Sequence, residues 1–259
     1  MSTRQGKIYI VILSVVALLI VISIVFMNSR SGVTARAQEL EDNFTRLMKT
    51  IENLDPPASP FSHFPNIKTN EKELRKLYSL GFASVPFMLD YIESDNTNYF
   101  IKDLLISAAT YNLHLPNMIG AITGENQEFS KDKDAYSTMW YARKLKEYTK
   151  SVPDLVGKIC NSDSSFEDKC KELDKMGMLA IPFLVETIEK GQSEWEVCIK
   201  LQTLGMEPDN RYQYLFSEEK RLIDYNMKKE RMESDFNVKE WIEENRDDLR
   251  ILKDFCTSN

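Results

Sequence analysis

The feature that most constrains the fold is a pattern that occurs twice, at residues 80–93 and at residues 176–189. In each copy a glycine is followed five residues later by a proline, and apolar residues follow that proline at its second, third and sixth positions. They are Met88, Leu89 and Ile92 in the first copy and Leu184, Val185 and Ile188 in the second. Residues at this spacing lie on one face of a helix. The pattern therefore predicts two similar amphipathic helices.

The glycine and the proline of each copy predict where helices end and begin. Gly81 and Gly177 lack a Cβ and can adopt the left-handed conformation in which many helices end. Pro86 and Pro182 lack a backbone N–H, so they fit the first turn of a helix, where that donor has no partner within the helix. The helix before each glycine is repeated too, with apolar residues at Leu74, Leu77 and Leu80 and at Cys170, Leu173 and Met176. Each copy thus predicts a pair of short helices.

Two weaker copies lie between the strong ones. Leu115 and Pro116 begin one of them, and Val152 and Pro153 begin the other. The apolar residues that follow are Met118, Ile119 and Ile122 in the first weak copy and Leu155, Val156 and Ile159 in the second. The four prolines recur roughly every 30 residues, a period typical of stacked helical repeats. Because such short helices cannot bury their own apolar faces, we expect them to stack on one another.

This pattern resembles the HEAT-like repeat of the armadillo-type α-solenoids, whose second helix commonly opens with a similar apolar-proline run. The resemblance covers residues 69–190, and it is weaker in the middle copies, where Tyr111 and Tyr148 occupy the glycine positions and Asp154 replaces the phenylalanine. It implies an all-α domain with HEAT-like repeats at residues 69–212 and capping helices at residues 213–259. These families share a scaffold and not a chemistry.

The amino-terminal region predicts a membrane anchor. Residues 8–27 are twenty largely apolar residues, which as a helix would cross a hydrocarbon core of about 30 Å. The run is longer than the apolar region of a cleavable signal peptide, which favours an uncleaved transmembrane helix. The predicted fold class is therefore all-α, with an N-terminal transmembrane helix followed by a HEAT-like α-solenoid. We expect a single-pass protein of the cell membrane, with the tail at residues 1–7 inside and the domain outside the cytoplasm.

Residues 28–54 predict a juxtamembrane or stalk helix with a heptad pattern of apolar residues, followed by a proline-rich linker at residues 55–68. The apolar positions of this helix are Ala37, Leu40, Phe44, Leu47, Ile51 and Leu54. Two interpretations are open. The helix either caps the apolar end of the first repeat, or forms a parallel dimer through Leu40, Phe44, Leu47 and Ile51.

Composition excludes several classes of function. The net charge of −7 and the absence of a basic cluster argue against nucleic-acid binding. The chain contains none of the common catalytic or nucleotide-binding motifs, so we expect no catalytic residues and no cofactor. Its cysteines, Cys160, Cys170, Cys198 and Cys256, are too irregularly spaced for a zinc site. In an oxidising compartment they could form one or two disulfides, and the spacing does not show which residues would pair.

One local feature points to a partner. Several aromatic residues cluster in the middle of the sequence, and the candidates for binding are Tyr91, Tyr136, Trp140, Tyr141 and Tyr148. They either pack between repeats, as aromatic side chains often do, or line a concave surface that holds a peptide or a partner domain. We therefore expect a membrane-anchored, non-catalytic protein-binding scaffold. The alternatives are a structural protein that assembles through the heptad helix and, third, an enzyme on a repeat scaffold.

Overall fold

A computed structural model describes residues 32–53, 67–94, 99–115, 138–204 and 236–258, and all the regular secondary structure in these ranges is helical. The helices are α1 (residues 32–51), α2 (Ile67–Tyr78), α3 (Val85–Glu93), α4 (Tyr99–Asn112), α5 (Thr138–Cys160), α6 (Phe166–Asp174), α7 (Ile181–Glu189), α8 (Glu196–Leu204), α9 (Val238–Glu244) and α10 (Arg246–Thr257). Short 3-10 turns at Phe82–Ser84, Gly177–Leu179 and Ser193–Trp195 precede α3, α7 and α8.

The predicted fold class requires a correction. Within the described ranges, no helix combines the length and the apolar character that crossing a membrane requires. The fold class of the described residues is therefore all-α, and the transmembrane helix that the prediction placed before the repeats is not found among them. Residues 8–27, on which that prediction falls, lie outside the described residues, as do the tail at 1–7 and most of the predicted linker.

Both strong copies form the predicted pair of helices, α2 with α3 and α6 with α7. Gly81 and Gly177 have φ angles of 80° and 53°, which only a residue without Cβ adopts at little cost. Pro86 and Pro182 lie in the first turn of α3 and α7. The apolar residues of the first helix of each pair are buried, with the exception of the half-buried Leu80.

The prediction for the second weak copy is wrong. Pro153 lies inside α5, a continuous helix of 23 residues, and does not begin a new one. Tyr148 occupies the position of the helix-ending glycine, and a residue with a Cβ favours the right-handed conformation that continues the helix. The hydroxyls of Thr149 and Ser151 donate to the carbonyls of Lys146 and Tyr148 in the turn before the proline. Side-chain hydrogen bonds of this kind often accompany a local bend in a helix.

The first weak copy lies at the edge of a described range. Leu115 is buried, whereas Pro116 lies outside the described residues. The chain leaves α4 through His114, whose φ of 53° is in the left-handed region. A helix therefore ends close to the predicted place.

The second strong copy is held against α4, the helix that follows the first copy, by a tight contact between the end of α4 and the turn before α7. The N–H of Met178 donates to the carbonyl oxygen of Leu113 at 2.9 Å. A Cβ on Gly177 would lie 2.7 Å from the carbonyl oxygen of His114 and closer still to that of Leu113. Only glycine fits here without displacing backbone atoms. The buried Gln202 of α8 lies beside this contact: its carbonyl oxygen is 3.2 Å from Nδ1 of His114, and its side chain donates to the carbonyl oxygen of Leu173 in α6 at 2.8 Å.

The helix α1 covers part of this core. Its predicted seam residues are all buried, namely Leu40, Phe44, Leu47 and Ile51. The ring of Phe44 meets Tyr91 of α3 edge to face, with centroids 5.8 Å apart. Arg36 donates to both carboxylate oxygens of Asp248 on α10, at 2.8 and 3.2 Å. The helix thus packs as a cover within its own chain; the alternative of a dimer through the same residues is not tested by these contacts and stays a prediction.

A disulfide connects α6 with α8. Cys170 and Cys198 are paired, with Cα atoms 5.5 Å apart, and both residues are buried. Cys160 and Cys256 are free thiols. Burial raises the pKa of Cys256 to about 12, so this thiol is protonated and unreactive at neutral pH.

Candidate functional site

A groove of about 470 Å³ lies between α7 and α10, with α9 at one end. Its lining residues follow the spacing of one helix face on each side. On α7 they are Pro182, Val185, Glu186 and Glu189; on α10 they are Arg246, Leu249, Arg250, Lys253 and Asp254; Ile242 of α9 completes the lining. Two helix faces therefore form the walls of this groove.

The floor of the groove is apolar. Pro182, Ile242 and Leu249 are buried, whereas Val185 is only half-buried. Leu89, which occupies the same place in α3 of the first copy, is completely buried. The second copy thus leaves exposed part of an apolar face that the first copy covers.

The rim of the groove carries charges of opposite sign on its two sides. Glu186 and Glu189 lie on the α7 side, and the basic residues Arg246, Arg250 and Lys253 lie on the α10 side together with Asp254. Lys253 donates to Glu186 across the groove. Arg246 is held at the edge by Glu243, with 3.0 Å between Nε and Oε2, and this hydrogen bond raises the pKa of the guanidinium. One wall is acidic and the other is mostly basic.

The lining of the groove combines apolar and charged side chains. Its residues carry aliphatic, carboxylate, guanidinium or ammonium groups. No group of three or more potential ligands within the described ranges is placed to hold a metal ion. An apolar floor with charged walls of opposite sign can bury an apolar side chain and orient its charged neighbours.

The aromatic residues singled out by the sequence lie elsewhere. Tyr91 packs on Phe44 and donates to Glu52 of the segment after α1; its burial, helped by that hydrogen bond, raises the pKa of Tyr91 to about 12. Tyr148 is half-buried against the core, and burial raises its pKa to about 12. Neither residue lines the groove.

Trp140 and Tyr141 lie near the beginning of α5, where their rings meet edge to face with centroids 5.2 Å apart. Both are half-buried, and Tyr141 packs against the core. Tyr136 lies outside the described residues. Half-buried rings are compatible both with packing between repeats and with binding a partner. A partner surface built from these aromatic residues therefore stays a prediction.

The sequence reasoning missed the groove. Val185 and Ile188 belong to an apolar face that was expected to stack on neighbouring helices. A signal was present in the comparison of the two copies, because Glu186 and Glu189 repeat Asp90 and Glu93 at the same distance from the proline. The other wall could not be found in this way, since α10 is outside the repeat.

None of the protein-family models, curated proteins or solved structures compared with this chain matches it.

Proposed function

We propose that this chain is a non-catalytic protein-binding module on a HEAT-like helical-repeat scaffold, and that its groove between α7 and α10 receives a helical segment of another protein. The observation that carries the proposal is the half-buried Val185 between two charged walls of opposite sign. Apolar grooves between helices recognise amphipathic helices through residues at helical spacing. The groove offers both the apolar contact and the flanking charges that such a ligand needs.

The dimensions support this proposal. α7 has 9 residues and α10 has 12, so the walls are about 13 and 18 Å long at 1.5 Å per residue. A bound helix of two to three turns would lie along them. A bound helix of this length presents two or three anchoring side chains to the groove, as amphipathic helices do in other grooves.

The alternative of a structural protein that dimerises through α1 has less support. All four seam residues are buried within the chain, so a dimer through them would require α1 to leave the domain. No feature of the described residues favours an enzyme over a binding module. We therefore propose one function only.

Site-specific photocrosslinking in the host cell tests the proposed function. A photoreactive benzoylphenylalanine would replace Val185 in the groove, Trp140 in the predicted aromatic surface, or Val197 of α8 as the control. Val197 is 54% exposed and lies outside the lining of the groove. We expect one discrete crosslinked protein from position 185 and none from position 197. That protein, once purified, should bind the unmodified chain.

The three positions give different answers. A product from position 140 with none from position 185 would move the partner surface to the aromatic residues and contradict the groove. Equal products from positions 185 and 197, or none from any position, would contradict the proposed function. A crosslink between two copies of this chain at position 185 would show that the groove binds a second copy and not a different protein.

A further inference from the structure

The helix that covers α3 in the first copy has a counterpart in the second. α5 packs on α3, and α10 takes the same place on α7. The two covering helices are also similar in sequence, since residues 142–149 read ARKLKEYT and residues 249–256 read LRILKDFC. An arginine, a leucine, a lysine, an acidic residue and an aromatic residue occupy matching positions in both. Lys253 is therefore the counterpart of Lys146.

These two lysines join their helices to the acidic pairs in different ways. Lys146 donates to Asp90 at 2.7 Å and to Glu93 at 2.6 Å, and its side chain is 20% exposed. Among the described residues, Lys253 donates to Glu186 alone, and its side chain is 33% exposed. The second junction thus has one ion pair where the first has two, and water reaches its lysine more easily.

The apolar residues beside these lysines differ in the same sense. Leu89 is completely buried under α5, whereas Val185, at the matching position of α7, is half-buried. The groove of about 470 Å³ lies at this place. α10 therefore covers α7 less closely than α5 covers α3.

The bond from Lys253 to Glu186 crosses this groove from one wall to the other. Val185 directly precedes Glu186 on the α7 wall, and Leu249 lies one turn before Lys253 on the α10 wall. The ion pair thus spans the apolar floor next to both residues. Its side chains are 33% and 43% exposed, and ion pairs this exposed are weak because water solvates the separated charges almost as well. Such a bond opens readily.

From these observations we infer that the ion pair between Lys253 and Glu186 is a strap that partly closes the groove and that a bound helix has to open. The inference rests on the proposed function and adds a form of regulation to the same site. The closed strap lowers the affinity of the groove, and salt, which screens exposed charges, makes the floor at Val185 more accessible. The first copy shows the closed limit of the same arrangement, in which the lysine has two carboxylates and the floor is completely buried.

The rate at which a thiol at position 185 is alkylated tests the strap without the partner. The full chain carries Val185→Cys together with Cys160→Ala, because Cys160 is a half-buried free thiol, whereas Cys256 is buried and protonated. The reagent is N-ethylmaleimide, which is small and uncharged. Lys253→Met removes the strap. As the control, Lys239→Met removes the same charge from an exposed position of α9 that is outside the lining of the groove.

We expect Lys253→Met to raise the alkylation rate about twofold to threefold, a factor that corresponds to about 0.5 kcal/mol, and Lys239→Met to leave the rate unchanged. Loss of a nearby cation would by itself raise the pKa of the new thiol and slow its reaction, so a faster rate reports access and not charge. Glu186→Gln removes the strap from the other wall and should also raise the rate. Sodium chloride at about 0.5 M should speed the reaction of the chain that keeps the strap and leave that of Lys253→Met unchanged.

A slower or unchanged rate in Lys253→Met, or an equal rise in Lys239→Met, would overturn the strap. A rise in Glu186→Gln alone would overturn it too, because that is the pattern of a lowered thiol pKa without a change in access. Thermal melting close to that of the parent chain shows that each variant folds.

The partner identified by the crosslink at position 185 provides the second measurement. It should bind Lys253→Met about twofold to threefold more tightly than the unmodified chain. Weaker binding would show that Lys253 contacts the partner directly and would overturn the strap. A specific crosslink without any change in alkylation would leave the proposed function intact and remove the strap. Faster alkylation without any crosslink would show that the ion pair opens and would contradict the proposed function.

Discussion

The two strong copies of the repeat use the same backbone pattern to different ends. The helix α3 and the helix α7 each have nine residues and a proline in the first turn. α3 buries Met88, Leu89 and Ile92, the three apolar positions that define the repeat, with α4 and α5 packed against it, whereas α7 leaves Val185 and Ile188 half-buried at the matching positions. The difference arises from the neighbours and not from the helices themselves. One copy of a repeated helix pair can therefore be closed by its neighbours while another leaves a groove.

The largest expected effect concerns the junction between the copies. Gly177→Ala should destabilise the protein by about 4 kcal/mol, because its Cβ overlaps two carbonyl oxygens and its φ of 53° disfavours any residue with a Cβ. The matched change in the first copy is Gly81→Ala. Its φ of 80° and ψ of 171° also disfavour a residue with a Cβ, but nothing lies within 4 Å of the added Cβ, so the loss should be about 2 kcal/mol.

Chemical denaturation of both variants measures this difference. Equal losses at positions 81 and 177 would show that backbone conformation alone sets the cost. The close approach of α4 to the second copy would then have no energetic weight.

The disulfide is the next largest difference, because only the second copy has one. Leu74 of α2 occupies the place of Cys170, so packing alone holds the first copy at this point. The double variant Cys170→Ala and Cys198→Ala should lose about 3.5 kcal/mol, the chain-entropy value for a loop with a separation of 28 residues. Cys160→Ala, at a half-buried free thiol, serves as the control and should cost less than about 1 kcal/mol.

Melting temperatures with and without a reductant provide the measurement. The reductant should lower the melting temperature of the unmodified chain and leave the double variant unchanged. If the unmodified chain melts at the same temperature under both conditions, the disulfide contributes nothing to stability.

Truncation of equivalent apolar residues tests the comparison directly. Leu89→Ala removes a completely buried side chain and should cost about 3 kcal/mol. Val185→Ala removes a half-buried one at the groove and should cost less than about 1 kcal/mol. The same Val185→Ala change should greatly weaken the binding of the crosslinked partner to this chain. Leu89→Ala does not test partner binding, because it affects the whole fold.

Urea unfolding and partner binding are measured on the same preparations. A loss of about 3 kcal/mol at both positions would mean that Val185 belongs to the core. The groove would then not be a free surface.

Sequence patterns predicted the two strong copies because the information is local there. Glycine and proline at fixed positions decide where α3 and α7 begin, and neighbouring residues supply the apolar face. The same logic failed at Pro153, since a proline ends a helix only when the residues before it also favour the break. Tyr148 does not, and α5 continues.

The groove and the disulfide depend on contacts between distant parts of the chain. Cys170 and Cys198 both occupy apolar positions of their helices, so periodicity could not distinguish a paired cysteine from a buried thiol. The wall formed by α10 comes from outside the repeat and reaches α7 only through the tertiary fold. The buried seam of α1 shows the same limit, because a heptad pattern describes an apolar face without saying what packs on it.

The smallest expected effect distinguishes the two acidic pairs by their lysines. Lys146 bonds to both Asp90 and Glu93, so Lys146→Met should cost about 1 kcal/mol, whereas Lys253→Met, which loses a bond to Glu186 alone, should cost about half as much.

The pKa of Lys146 is raised in the folded state, so its contribution to stability is complete below the ordinary lysine pKa and is lost as the pH rises through the folded value. The difference in unfolding free energy between Lys146→Met and the unmodified chain should therefore be constant between about pH 6 and about pH 9, and it should shrink above a pH of about 10.5. Unfolding free energies across this range measure it. A difference that grows with pH would show that Lys146 is held by packing of its alkyl chain and not by the acidic pair, and the contrast between Lys146 and Lys253 would then not depend on charge.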